Sequence, residues 1–166
     1  MPDENQLSQE VGRLLKSKGL WLATAESCTG GLLGNLVTSV SGSSEYYLGG
    51  FITYSNFAKE RFISVRSATL KSFGAVSRET VLEMARGVCE AFKEEQDINK
   101  IIGVSISGIA GPGGGTPEKP VGTVWVGIRS EAGDKAACFH FSGDRVSVKN
   151  QTAQQALELL ISHLSQ

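Results

Sequence analysis

The sequence predicts an α/β fold, a three-layer α/β/α sandwich around a mixed β-sheet. Three observations predict it. Apolar residues recur at helical spacing in segments that alternate with short β-branched runs, which is the pattern of helices laid on a sheet. Three strand-like runs then follow one another before a last helix, so part of the sheet is antiparallel. Finally, 166 residues suffice for one sizeable core but not for two, so residues 1–166 read as a single domain.

The first helix carries Leu7, Val11, Leu14 and Leu15 on one face, with Gly19 placed to stop it. Trp21 to Thr24 reads as a short buried strand. Ala25 to Gly31 (AESCTGG) leads into an apolar helix through Leu32, Leu33, Leu36, Val37 and Val40, which Ser41 to Ser44 break. Tyr47 to Tyr54 has the aromatic and β-branched content of a strand, and Ser55-Asn56 can cap a helix that carries Lys59. Ser67 to Phe73 is a short helix closed by Gly74. Ser77 caps the next, which buries Val81, Ala85, Val88 and Phe92. Ile101 to Ser107, Val121 to Ile128 and Ala136 to Phe141 are the consecutive strands. Asp144 caps a final helix whose inner face is Ala153, Ala156, Leu157, Leu160, Ile161 and Leu164.

Composition narrows the function classes. Apolar residues make up 40% and charged residues 20% of the chain, as in ordinary globular proteins. A formal net charge of -1 predicts no general affinity for nucleic acid or for anionic lipid. No apolar run approaches the roughly 20 residues that span a bilayer. The polar, acidic amino terminus is no secretory signal, so a cytoplasmic location is expected. Cys28, Cys89 and Cys138 are three cysteines without CxxC spacing, which predicts neither a disulfide framework nor a zinc site.

Ser27 is the first candidate for chemistry. It lies where a strand passes through a glycine-rich turn into a helix, a junction that aims free N–H groups near Thr29, Gly30 and Gly31 at an anion or a developing oxyanion. The plain alternative is an N-cap serine. No GxSxG elbow is present, and Ser27 with Lys59 is not an SxxK pair. Lys59 is the second candidate. A lysine on a short helix is commonly a solvated charge, and to act as a base it needs burial or a neighbouring cation. Histidine, the commoner base, is represented by His140 and His163 alone, neither in a motif-like setting, so lysine is the better-placed base for a serine nucleophile. Cys28 is a rival nucleophile. The third candidate is the stretch from Ser105 to Pro120, in which a strand runs into glycines (Gly108, Gly111, Gly113 to Gly115) that let backbone approach a ligand. It matches neither the Walker pattern nor GxGxxG, and the alternative is a flexible hairpin. Arg145, just inside the last helix, suits a phosphate or a carboxylate.

The segments ATAESCTGG (Ala23 to Gly31), GGFITYSNFAK (Gly49 to Lys59), GAVS (Gly74 to Ser77), SISGIAGPGGG (Ser105 to Gly115), EKPVGTVW (Glu118 to Trp125) and FSGDR (Phe141 to Arg145) resemble, in order, the CinA carboxy-terminal-domain family. The resemblance covers about Leu7 to Leu164 and departs at Gly113, where relatives often carry a charged or polar residue. It implies an amidase that converts nicotinamide mononucleotide to nicotinic acid mononucleotide and ammonia, recycling pyridine nucleotide toward NAD. A Ser/Lys dyad is implied at Ser27 and Lys59. With that reading, the turn at Thr29, Gly30 and Gly31 supports the oxyanion, Tyr54 stacks on the pyridine ring or hydrogen-bonds near Lys59, Asn56 is a further substrate-binding candidate, and Ser107, Gly108 and Arg145 are candidates for the ribose phosphate. No metal or cofactor is implied, and the partner is the small-molecule substrate, with neither nucleic acid nor membrane. A homodimer is plausible for a small enzyme of this kind, although nothing in the sequence fixes its interface. The rival readings are a nucleotide-binding, competence-associated regulatory module without catalysis, and a cysteine amidase built on Cys28.

Overall fold

A computed structural model of the chain describes residues 3–166. Its elements follow the expected order: α1 (Glu4–Lys18), β1 (Trp21–Glu26), α2 (Leu32–Thr38), β2 (Tyr47–Ile52), α3 (Asn56–Ile63), α4 (Ser67–Phe73), α5 (Arg78–Ala91), β3 (Ile101–Gly108), β4 (Thr123–Arg129), β5 (Lys135–His140) and α6 (Arg145–Leu164). The strands form one five-stranded sheet in the order β2-β1-β3-β4-β5. β2, β1 and β3 are parallel, whereas β4 and β5 run antiparallel to their neighbours.

Two apolar cores make this a three-layer sandwich. On one face Leu15, Leu33 and Val37, Val148, Leu157 and Leu160 bring α1, α2 and α6 onto Leu22, Val104 and Val126. On the other, Ile63, Leu70, Val81, Met84 and Val88 bring α3, α4 and α5 onto Ala23, Ala25 and Ile101. Helix α5 lies unusually close to the sheet because β3 and β4 present Gly103 and Gly127 to it; a Cβ at either would collide with the carbonyl of Ala85 or Val81.

Several element ends differ from the sequence reading, each for a visible reason. β1 runs on to Glu26, because every residue from Trp21 to Glu26 pairs with β3. β2 stops at Ile52 rather than Tyr54, since the carbonyls of Thr53 and Tyr54 leave the sheet to accept from Lys59. α2 ends at Thr38, before Val40, where the Thr38 and Ser39 hydroxyls turn back onto the carbonyls of Gly34 and Asn35. Phe92 and Ile161, expected in the core, are only half-buried, while Val148 and Thr152 of α6 are buried.

This topology locates a crevice. From β1 the chain crosses by α2 to β2 on one side, and from β2 by α3–α5 to β3 on the other. The carboxyl ends of β1, β2 and β3 therefore meet at a switch point, where helices diverge and backbone groups are left to a ligand.

Candidate active site

Ser27 extends β1 by one residue, its N–H donating to the Ile106 carbonyl at 3.0 Å. The turn that follows is bent by Gly30 and Gly31, both at positive φ (62° and 102°). It is tied by Glu26, which is 2% exposed. The Glu26 carboxylate accepts from the Thr29 hydroxyl at 2.6 Å and from the amides of Leu33 and Gly34 at 2.9 and 3.0 Å. An anion at the start of α2 thus supplies the cap that Gly31 lacks. Sequence reading missed this role. Its only signal was an acidic residue ending an otherwise uncharged strand, seven residues before the helix amide it meets.

Lys59 comes from the opposite layer. Ser55 caps α3 through the Ala58 amide, and the first turn of that helix points Lys59 inward. Lys59 is 1% exposed, which overturns the reading of a solvated charge. Its Nζ lies 2.8 Å from the Thr53 carbonyl, 3.4 Å from the Tyr54 carbonyl and 3.1 Å from Ser27 Oγ. As an ammonium it donates to all three oxygens, and among the described residues no carboxylate pairs with it. Burial therefore pushes its pKa down to about 8, opposed only weakly by the neighbouring Cys28. Once neutral, Nζ keeps two N–H donors for the two carbonyls and turns a lone pair toward Ser27.

Ser27 and Lys59 line a cavity of about 290 Å³. Tyr54, Asn56, Ser107, Gly108 and Arg145 line it too, together with Cys28, the α4–α5 link at Ala75 and Val76, and the loop after β3. Thr29, Gly30 and Gly31 do not reach it. The Thr29 hydroxyl is committed to Glu26, the Gly30 amide donates to the Ser27 carbonyl, and Gly31 faces Ile52. Arg145 spans the rim, donating to the Gly111 carbonyl at 2.7 Å and to the Tyr54 hydroxyl at 2.9 Å. Tyr54 thus offers its hydroxyl to Arg145 and its carbonyl to Lys59, the residue remaining 61% exposed. A larger groove of about 480 Å³ on the outside of α3 and α5 contains the Arg66–Glu83 ion pair but no nucleophile beside a base.

The rival groups fare differently. Burial raises the Cys28 thiol to about 11, so at neutral pH it is the inert form. His140 is exposed on β5, the edge strand farthest from β2, and His163 contacts Ser130 at 2.8 Å near the carboxyl end of α6. No helix among the described residues is long and apolar enough to cross a membrane.

Fold and site together define an α/β protein in which a serine and a charge-isolated lysine meet at the switch point of a mixed sheet. The chain belongs to the CinA C-terminal domain family, whose model matches residues 4–164. It is 47% identical over 155 residues to the nicotinamide-nucleotide amidohydrolase PncC of Enterobacter agglomerans, covering 93% of this chain and 91% of that protein. It is 47% identical over 158 residues to the PncC protein of Escherichia coli K12, with the same coverage. Among solved structures, a CinA superfamily protein from Klebsiella pneumoniae superposes with a TM-score of 0.90 at 34% identity, over 99% of both chains.

Proposed function

We propose that this chain is a nicotinamide-nucleotide amidase, a single amidohydrolase domain over residues 1–166 that converts nicotinamide mononucleotide and water to nicotinic acid mononucleotide and ammonia. Relatives named for that activity at 47% identity over most of the chain support the substrate. The single observation that carries the mechanism is the 3.1 Å approach of a buried, uncompensated Lys59 Nζ to Ser27 Oγ.

Neutral Lys59 takes the Ser27 proton as Oγ bonds to the carboxamide carbon and the carbonyl electron pair moves onto oxygen. When that oxygen re-forms its double bond, the C–N bond breaks, and the lysine proton leaves with the amine as ammonia. Water, deprotonated by the same lysine, then cleaves the acyl-enzyme and restores Ser27. Arg145 holds the phosphate at the rim, and Tyr54 and Asn56 flank the ring. The regulatory-module alternative gains nothing from a lysine buried without a counter-charge.

The test is ammonia release from nicotinamide mononucleotide by wild type, Ser27→Ala and Lys59→Ala. Wild type is expected to turn over, and each variant to lose at least about 1000-fold in kcat. Binding without turnover by wild type would overturn the amidase reading in favour of a binding module.

A further inference from the structure

The proposed attack leaves negative charge on the amide oxygen, and the turn beside the nucleophile commits several of its donors elsewhere. The Ser27 amide is engaged by the Ile106 carbonyl, the Gly30 amide by Ser27 itself, and the Thr29 hydroxyl by Glu26. The Cys28 and Thr29 amides donate to no group among the described residues, and a side-chain donor can join them from another element facing the same cavity.

We infer that the Ser107 hydroxyl is an oxyanion donor, a catalytic residue for the Ser27 reaction. Ser107 is 1% exposed and lines the cavity that contains Ser27 and Lys59. Its placement follows from the sheet. β1 and β3 pair in register with Glu26 opposite Ile106, so Ser27 and Ser107 are neighbours one step further along. Side chains two apart on a strand share a face, and Ser105 reaches the Val81 carbonyl of α5. Ser107 therefore points to the layer from which Lys59 also comes.

The Ser107 hydroxyl makes no hydrogen bond among the described residues, although Ser105, two positions back, makes one of 2.6 Å. Buried hydroxyls are ordinarily paired. The Thr53 hydroxyl is unpaired too, but it is sealed from solvent and from the cavity, whereas Ser107 opens onto the space where substrate sits. A fixed donor facing charge that forms only during reaction is the arrangement that accelerates the chemical step rather than binding. This role rests on the serine-amidase reading given above. It adds a side-chain donor to the backbone amides of the turn and moves Ser107 from phosphate binding to the reacting amide.

The experiment compares Ser107→Ala and Ser107→Cys with wild type in steady-state ammonia release, in equilibrium binding of nicotinic acid mononucleotide, and in thermal unfolding. Both variants are expected to lose about 100-fold in kcat. KM and product affinity should stay within threefold, and the melting temperature should not fall, because an unpaired hydroxyl holds nothing in the fold. A kcat for Ser107→Ala within threefold of wild type overturns the role, and so does a loss that appears in KM and product affinity instead. Inactive wild type, or an active Ser27→Ala, marks failure of the amidase reading itself.

Discussion

Two turns leave the same edge of the sheet, and they are built in opposite ways. The turn after β1 needs five residues to reach α2 and is locked by Glu26, whose carboxylate holds one side-chain hydroxyl and two helix amides, while its carbonyl holds the Thr53 amide at 2.8 Å. The loop after β3 runs from Ile109 to Gly122 and is exposed from Pro112 to Glu118. Beyond its own base, two cations secure it: Arg145 on the Gly111 carbonyl and Lys119 on the Phe73 carbonyl at 2.8 Å. Chemistry that depends on tenths of an ångström belongs on the first construction, and substrate entry suits the second. Glu26 serves both Ser27 and Lys59, bracing the turn that follows Ser27 and anchoring the segment whose carbonyls receive Lys59.

The largest effect that sharpens this contrast concerns Lys59, which the rigid side buries without a counter-charge. Lys59→Met removes the proposed base and should abolish turnover, leaving less than about 0.1% of wild-type kcat. The same residue costs stability. With a folded pKa of about 8 against an ordinary 10.5, the unfolded chain holds a proton between those pH values that the folded chain has released. Wild-type stability relative to Lys59→Met therefore rises with pH across that window, by about 3 kcal/mol in all. Below pH 8 the full penalty of charging the buried amine applies. Denaturant unfolding of both proteins at pH 7 and pH 10 measures it, and a pH-independent difference would refute an ammonium strained by burial. Turnover by wild type should rise with pH on the same acid limb.

A smaller effect is expected at Glu26. Glu26→Gln keeps one oxygen acceptor but turns an amide N–H₂ toward a helix N–H, costing about 1–2 kcal/mol by denaturant unfolding. Because the turn that follows Ser27 relaxes, kcat should fall on the order of 10-fold or more while KM changes little. A loss of stability with unchanged kcat would mean that the turn's rigidity serves folding alone.

These two turns also show how far the sequence could be read. Layers, element order and the caps Asp144, Ser77 and Ser55 were legible, because apolar spacing and capping chemistry act over a few residues. Ser27, Lys59 and Arg145 were picked out by residue type and by family resemblance, yet the spacing of 32 residues between Ser27 and Lys59 carried no sign that they meet. The burial of Lys59 was not legible either, since its own helix is short and weakly amphipathic. Oxyanion support was assigned to Thr29 to Gly31 because a glycine turn before a helix exposes amides. What that logic could not contain was Glu26 meeting α2 from seven and eight residues upstream, or β1–β3 register setting Ser107 beside Ser27.

The smallest effect belongs to the long loop and is the sharpest test of the contrast. Among the described residues, Lys119 is the one side chain that ties the loop to α4 by a hydrogen bond, its ammonium resting on a carbonyl of the last turn, where a helix favours cations. Ala75 and Val76, just beyond that turn, line the cavity, so the tie also fixes one wall. Lys119→Ala should free the loop to sample more conformations, raising KM about three- to tenfold while kcat stays within twofold. Stability should change by less than about 1 kcal/mol, since the bond is exposed. If kcat fell instead with KM unchanged, the loop would be part of the reacting geometry, and the division between a rigid chemical turn and a mobile binding loop would not hold.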